Sequence, residues 1–520
     1  MKVVSSRQMR KLETAAAEEI GLPTLLLMEN AAIRLSEHCL AYLNDGLKTV
    51  KAKPKVVIMA GVGGNGGDGL ALARHLHLKG IDVNIYMAGD ISGIQGDAYI
   101  NLEIVRKMGL AIIPIDERTD IQTSLRSCDL AVDALFGAGL NRRIEGVYEN
   151  VIEMINNYAN YVISVDIPSG ISADTGQVLG IAVKANVTVT MGYPKTGIMI
   201  YPGAAYAGKV EIADISLPRL PQSGDEPELS ILTDSEITWY LPPRQAQSNK
   251  SSYGRVYGFA GSAEMPGAAA LSATAAYKAG AGYVYACAVP SAVRVLQHSL
   301  KEAITRILPH QGGFFCKKSL DAIAEELKNA DVVYIGPGIG RGAHVTEFVF
   351  ALIETVQTGM VLDADALNSI SEDISILKKL KRPCVITPHP GEMSRLTGLS
   401  VNEIVNNTID TASEFSRKFN VITVLKDART IVSSPSGNSY INVTGCSALA
   451  KAGSGDVLTG IIAGFMAQGL DPFTAAKLGV YIHGKAGQSA CEQLSNYGVL
   501  ATDLLNHIPI VLNHYERLKM

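Results

Sequence analysis

Where apolar residues fall along the chain already divides it into elements. The first half opens on two stretches of helical spacing, SSRQMRKLETAAAEEI and a second around residues 24–44. Five apolar runs of strand length follow: KVVIMAG (55–61), IDVNIYMAG (81–89), LAVDALFG (130–137), YVISVDIPSG (161–170) and VTVTMGYPK (187–195). Each is succeeded by a turn and a helix-like pattern. The runs are continuous rather than alternating, so both faces of the sheet are expected to be covered, as in parallel sheets. The strand–turn–helix rhythm predicts a doubly wound, Rossmann-like layer.

The second half has the same texture. Its candidate strands are RVYGFAG (255–261), YVYACAVP (283–290), DVVYIGPG (331–338), MVLDAD (360–365) and CVITPHPG (384–391). VITVLKDART (421–430) and NSYINVTG (438–445), joined by SSPSG, predict a hairpin or ribbon. Helices are expected at 268–280, 393–397, 455–468 and 474–488. Between the halves, LPRLPQSGDEPELS (217–230) is rich in proline and charge, which places a seam there. The expected organisation is two α/β domains, residues 1–220 and 231–520, with a linker at 221–230.

Composition narrows the function classes. Of 520 residues, 47% are hydrophobic and 18% charged, enough for two buried cores and unlike a disordered chain. A net charge of −4 leaves no basic surplus for nucleic-acid binding by counterion release. The first twenty residues lack the apolar core of a secretory signal, and the Gly/Ala-rich stretch near 268–290 is broken by Lys278, so no membrane segment is expected. The seven cysteines, at 39, 128, 287, 316, 384, 446 and 491, show no metal-ligand spacing and suit reduced thiols of a cytoplasmic protein. A homo-oligomer is expected.

Polar residues just past apolar strands are the candidates for chemistry, because ligands of open α/β sheets bind there. AGVGGNGGDGLALARHL (60–76) puts five glycines within 63–69 after a strand and at the opening of a helix. The spacing fits neither the dinucleotide fingerprint nor the Walker A loop. Asn65 and Asp68 among the glycines suggest a more specific site; a tight structural turn is the plainer reading. In VDALFGAGLNRR (132–143), Asp133 ends a strand before Gly137, Gly139 and the pair Arg142–Arg143, equally readable as a helix cap and a solvated face. In VDIPSG (165–170), Asp166 leaves an apolar strand, where desolvation can fit a carboxylate for acid–base work near neutrality, or where it simply forms the turn.

These three strings, in this order, resemble the NAD(P)H-hydrate epimerase domain over roughly residues 1–220. The resemblance implies that Gly64, Asn65, Gly66, Gly67 and Asp68, with Gly137, Ala138, Gly139, Leu140, Asn141, Arg142 and Arg143, line the hydrated nucleotide. It makes Asp166 both a substrate contact and the acid/base, and implies K⁺ at Asn65, Asp133 and Ser169, all oxygen-bearing as a hard cation requires. The family usually has Asn where this chain has Gly64, a change that preserves close backbone approach.

In the second half, TGCSALAKAGSGDVLTGIIAG (444–464) sets Gly453, Ser454 and Gly455 before Asp456 and a long apolar helix. The helix-start amides form an anion hole with Asp456 beside it as a base, suited to phosphoryl transfer to a hydroxyl; the alternative is a carboxylate favoured only by the helix dipole. TPHPGEMSRLTG (387–398) presents His389 and Glu392, with His389 as readily structural as functional. KDART (426–430) offers Lys426 and Arg429 to nucleotide phosphate or, alternatively, to solvent. GPGIG (336–340) is a further backbone-lined loop, and DADAL (363–367) puts two acids at a strand end, suited to Mg²⁺.

With GSAEMPGAAALSATAAYKAGAG, these strings resemble the ribokinase-like NAD(P)H-hydrate dehydratase domain over about residues 230–520. The resemblance implies that Gly338, His389 and Asp456 contact the hydrate. It also implies that Lys426, Asp427, Ala428, Arg429, Thr430, Cys446, Gly453, Ser454 and Gly455 hold ADP or ATP, with Mg²⁺. Two departures touch pocket shape: Met265 where Tyr is common, and Gly445–Cys446 where an Asn-Pro or Asn-Ala step is usual. The implied activity is interconversion of the R and S hydrates of NADH and NADPH, and nucleotide-dependent dehydration of the S form. Against it stands a second reading, a vitamin-precursor kinase fused to a nucleotide-binding module.

Overall fold

The computed structural model describes residues 1–46, 53–116, 118–218 and 228–519. The chain divides into two compact units, Lys2–Glu226 and Pro227–Met520, with Met1 counted in the second. The expected linker, 221–230, lies largely outside the described residues; its last two, Leu229–Ser230, form a short strand.

The first unit is a seven-stranded parallel sheet of β1 (Lys55–Ala60), β2 (Asp82–Met87), β3 (Ile112–Pro114), β4 (Leu130–Ala134), β5 (Val162–Val165), β6 (Val187–Met191) and β7 (Lys209–Ala213). Its spatial order, β3-β2-β1-β4-β5-β6-β7, reverses between β1 and β4. Alternate residues explain the double winding. Val56, Ile58, Ala60, Val132 and Ala134 join the core beneath α2 (Thr24–Ala41) and α3 (Gly64–Leu78). Val57, Met59, Ala131 and Leu135 join the core on the opposite face, under helices Ile121–Ser127 and Val147–Tyr158. A further helix, α1 (Ser6–Glu18), is closed by a capping box in which Ser5 and Gln8 satisfy each other's backbone N–H groups.

The second unit is an α/β layer built on β8 (Leu229–Ser230), β9 (Arg255–Phe259), β10 (Tyr283–Ala288), β11 (Ile304–Ile307), β12 (Val332–Ile335), β13 (Gly359–Leu362), β14 (Cys384–Ile386), β15 (Ile422–Leu425), β16 (Ile431–Ser433) and β17 (Ser439–Ile441). These lie in the order β8-β17-β16-β15-β14-β13-β12-β9-β10-β11. Strands β9 to β15 run parallel, and β16 and β17 are antiparallel additions. The expected hairpin across SSPSG is present as β16–β17, with its first arm shortened. The run 421–430 is not one strand: it breaks at the Lys426–Thr430 turn, so β15 pairs with β16, and the turn after Ser433 joins β16 to β17. Helices used below are α4 (Gly267–Lys278), α5 (Pro390–Thr397), α6 (Ser454–Ala467) and α7 (Pro472–Gly498), the last broken at Ser495. Among the described residues, no helix is long and apolar enough to cross a membrane.

Candidate functional site

In the first unit the crevice at the strand-order reversal is a cavity of about 580 Å³. Helix α3 starts at its mouth: Gly63 is the N-cap and provides no side-chain cap, so the first amides stay open to a ligand. Residues three apart share a helix face, which turns Asn65 and Asp68 into the cavity together with Gly64. The loop after β4 supplies Gly137, Ala138, Gly139, Leu140, Asn141 and Arg142. Three expected contacts are placed elsewhere. Gly66 is a packing residue, since a Cβ there would sit 1.8 Å from the Gly61 carbonyl oxygen. Gly67 packs on Met28 and Ala98, and the Arg143 side chain lies along Gly180.

Asp166 lines the cavity in a left-handed conformation, with φ 65°. Three donors converge on its Oδ1: Lys195 Nζ at 2.5 Å, the Met191 N–H at 3.1 Å and Thr190 Oγ1 at 3.2 Å. Lys195 is 1% exposed, and its other contacts are the Met191 carbonyl at 2.9 Å and Thr190 Oγ1 at 3.4 Å. Lys195 and Glu13, which the sequence reading does not single out, complete the lining. Burial, together with the Asp166 and Glu13 carboxylates, pushes Asp68 well above the usual carboxylate range, and burial likewise raises Glu13. Burial therefore favours the protonated form of these two carboxyl groups.

Asp133 lies below this surface. It ends β4 opposite Met59 and Ser164 and is fully buried. Its carboxylate accepts from Ser169 Oγ (2.6 Å), Ser164 Oγ (2.8 Å), the Ser169 N–H (2.8 Å) and the Leu135 N–H (3.3 Å). Burial still raises its pKa against those bonds. Asn65 stacks its amide on Gly137, and its buried Nδ2 has no hydrogen-bond partner.

In the second unit, the expected residues gather at the carboxyl ends of β12 to β15. Asp363, following β13, is 1% exposed and accepts from Thr387 Oγ1 (2.7 Å), Lys426 Nζ (2.8 Å) and Thr459 Oγ1 (2.7 Å). This corrects its expected Mg²⁺ role: both oxygens are already engaged. The GPGIG loop is pressed onto this segment, since a Cβ at Gly336 would meet the Asp363 carbonyl oxygen at 1.7 Å and the Gly340 N–H donates to Asp365. Gly338 backs onto Ala268 and Met265.

Lys426 is a half-buried counter-charge to Asp363. It pairs with Asp363, with Glu392 at 4.0 Å, and burial lowers its pKa less than these carboxylates raise it. Arg429 is also committed, donating from Nη1 to the Val443 carbonyl at 2.6 Å. Asp427 and Ala428 are exposed on the same turn, where Thr430 Oγ1 donates to the Asp427 carbonyl. His389 caps α5, its Nδ1 accepting the Gly391 N–H at 3.0 Å while Glu392 accepts the His389 N–H. Burial, then Lys426 and Arg395, hold the imidazole below its ordinary pKa against the pull of Glu392.

Helix α6 begins at Gly453 (φ 88°), again with no side-chain cap. Ser454 faces inward, its carbonyl accepting from His483 Nε2 at 3.0 Å; burial drives that imidazole down to about 4. Asp456 stands in the first turn. Burial, then the Asp363 carboxylate, push its pKa up to about 7 against the pull of Lys426. The Cys446 thiol points at Cys491 on α7, with sulfurs 2.7 Å apart. The arrangement is a helix N-terminus open to an anion beside a carboxylate that exchanges its proton near neutrality.

Comparison with known proteins gives two family matches. The model described as YjeF-related protein N-terminus covers residues 24–197, and that described as NAD(P)H-hydrate dehydratase covers 258–510. The bifunctional NAD(P)H-hydrate repair enzyme Nnr of Moorella thermoacetica is 40% identical over 99% of this chain and 97% of its own. That of Thermofilum pendens is 38% identical over 98% of this chain and 96% of its own. An ADP/ATP-dependent NAD(P)H-hydrate dehydratase from Bacillus subtilis, co-crystallised with ATP and Mg²⁺, is 30% identical, with 55% of this chain and 99% of that chain covered at a TM-score of 0.48.

Proposed function

We propose a division of labour between the two units, given that the chain belongs to the bifunctional NAD(P)H-hydrate repair enzyme family. The protein epimerises the hydrates of NADH and NADPH and dehydrates the S form at the expense of ADP or ATP. Residues 1–220 are the epimerase domain and 231–520 the dehydratase domain. The observation that carries the reading is the pairing, in each unit, of an uncapped helix start with a carboxylate near the carboxyl ends of the strands, which in the first unit lines a cavity.

In the epimerase cavity, Asp166 serves the carbon whose configuration is inverted. Its Oδ1 is fixed by three donors, which leaves Oδ2 to exchange the proton. Asn65 and the Gly137–Arg142 loop hold the nucleotide. Asp133 and Ser169 carry buried oxygens and Asn65 an amide oxygen, the donor type a hard cation such as K⁺ takes. Holding it would require the hydrogen bonds that now engage both Asp133 oxygens to open and the Asn65 amide to present its oxygen, because the unpartnered Nδ2 is a donor and cannot ligate. Exchanging K⁺ for a larger organic cation is expected to cut epimerisation by about tenfold or more while sparing dehydration; an unchanged epimerisation rate removes the cation from the site.

In the dehydratase, Asp456 takes the proton of the hydrate's C6 hydroxyl, whose oxygen attacks the terminal phosphoryl group. The α6 amides at Gly453–Gly455 stabilise the charge on the transferring oxygens. The phosphate ester, a far better leaving group than hydroxide, is then eliminated to restore the dihydronicotinamide ring. Mg²⁺ accompanies the nucleotide, held chiefly by its phosphates. The test is the product: incubation of S-hydrate with ADP should yield AMP, phosphate and NADH in equal amounts. A stable phosphorylated alcohol would instead establish the kinase reading.

A further inference from the structure

We infer that Lys195 is a positioning residue of epimerisation, supplying the counter-charge and the anchor that make Asp166 an aimed carboxylate. The inference rests on the assignment of Asp166 above. Lys195 is 1% exposed at the end of the β6 segment and gives its three N–H groups to Asp166 Oδ1, the Met191 carbonyl and Thr190 Oγ1. An ammonium so engaged has no donor left for substrate and no lone pair for covalent catalysis. Its effect on the reaction therefore passes through Asp166.

The surroundings show why a cation is needed. Asp166 faces Asp68 from α3 and Glu13 from α1, with Arg10 beside Glu13 on the same helix, all lining one cavity. With Asp97, four carboxyl groups line this one partly buried space beside the cations Arg10, Arg142 and Lys195, and the carboxyl groups repel one another in their ionised forms. Lys195 is the cation in direct contact with Asp166, and it binds the oxygen that the backbone N–H of Met191 and the Thr190 hydroxyl also hold. One oxygen is thereby pinned and the other left for the substrate.

Removing the charge while keeping the volume should disfavour the ionised form of Asp166 and free its orientation. Lys195→Met is expected to lower epimerase kcat on the order of 100-fold at pH 7, with KM little changed and the acid limb of the pH profile moved to higher pH. Lys195→Gln, which keeps two donors without the charge, should recover part of kcat at high pH and still show the displaced limb. It carries the test if the Met variant melts below the assay temperature. A folded Lys195 variant with the wild-type kcat and an unmoved acid limb overturns the inference. Asp166→Asn separates this from failure of the underlying assignment: if that variant epimerises normally, the role of Asp166 falls first. If it is inactive while the Lys195 variants behave as wild type, only the role of Lys195 falls.

Discussion

Asp456→Asn is expected to lower nucleotide-dependent dehydration by about 10²–10⁴-fold, the range typical for loss of a general base, while epimerisation continues at the wild-type rate. The substitution keeps the shape and the hydrogen-bonding reach of the side chain but removes its capacity to hold the hydroxyl proton. The wild-type pH profile provides an independent reading of the same group. Asp456 is pushed up to about 7 by burial and by the Asp363 carboxylate. The base works only when ionised, so kcat/KM for dehydration should fall about tenfold per pH unit below that value and level off above it. Asp363→Asn removes the neighbouring negative charge but also the partner of Lys426, so the Asp456 limb should move to lower pH as the unpaired ammonium favours the carboxylate. An Asp456→Asn enzyme within tenfold of wild type would exclude this residue as the base.

Asp166→Asn should cost epimerisation a similar factor of about 10²–10⁴, and it should cost stability as well. Lys195, at 1% exposure, would keep only neutral acceptors: the amide oxygen introduced at position 166, the Thr190 hydroxyl and the Met191 carbonyl. Leaving one member of a buried ion pair uncompensated destabilises by about 3–5 kcal/mol. The double variant Asp166→Asn/Lys195→Met removes both charges, so thermal unfolding should return towards wild type while epimerisation stays lost. Recovery of stability without recovery of activity separates chemistry from folding. A single variant with wild-type melting behaviour would show that the pair contributes little to the fold.

What the sequence made legible was local. The Gly-rich helix start, VDALFG and VDIPSG each carry glycine or proline next to a carboxylate at the end of an apolar run, so their positions at strand ends follow from the chain itself. Lys195 ends such a run too, yet its contact with Asp166 forms only when β5 and β6 pair, across 29 residues of sequence. Glu13 looks like one more polar position on an amphipathic helix until α1 is folded over the cavity. Burial was the other hidden quantity. Lys426 and Arg429 have the composition of phosphate ligands, but Asp363 and the Val443 carbonyl take them first. The edge strands β3 and β7 were not predicted because they are short and partly exposed, with no continuous apolar run to mark them.

The central claim is that one chain converts both hydrate epimers back to the reduced cofactor. Its most direct test supplies the purified protein with a mixture of R- and S-NADH-hydrate, Mg²⁺, K⁺ and either ADP or ATP, and follows the return of NADH absorbance. The account predicts recovery of the whole hydrate pool, with Asp166→Asn stopping at the S share apart from slow spontaneous epimerisation. Recovery limited to the S share in the unaltered protein, or no recovery with either nucleotide, would contradict it.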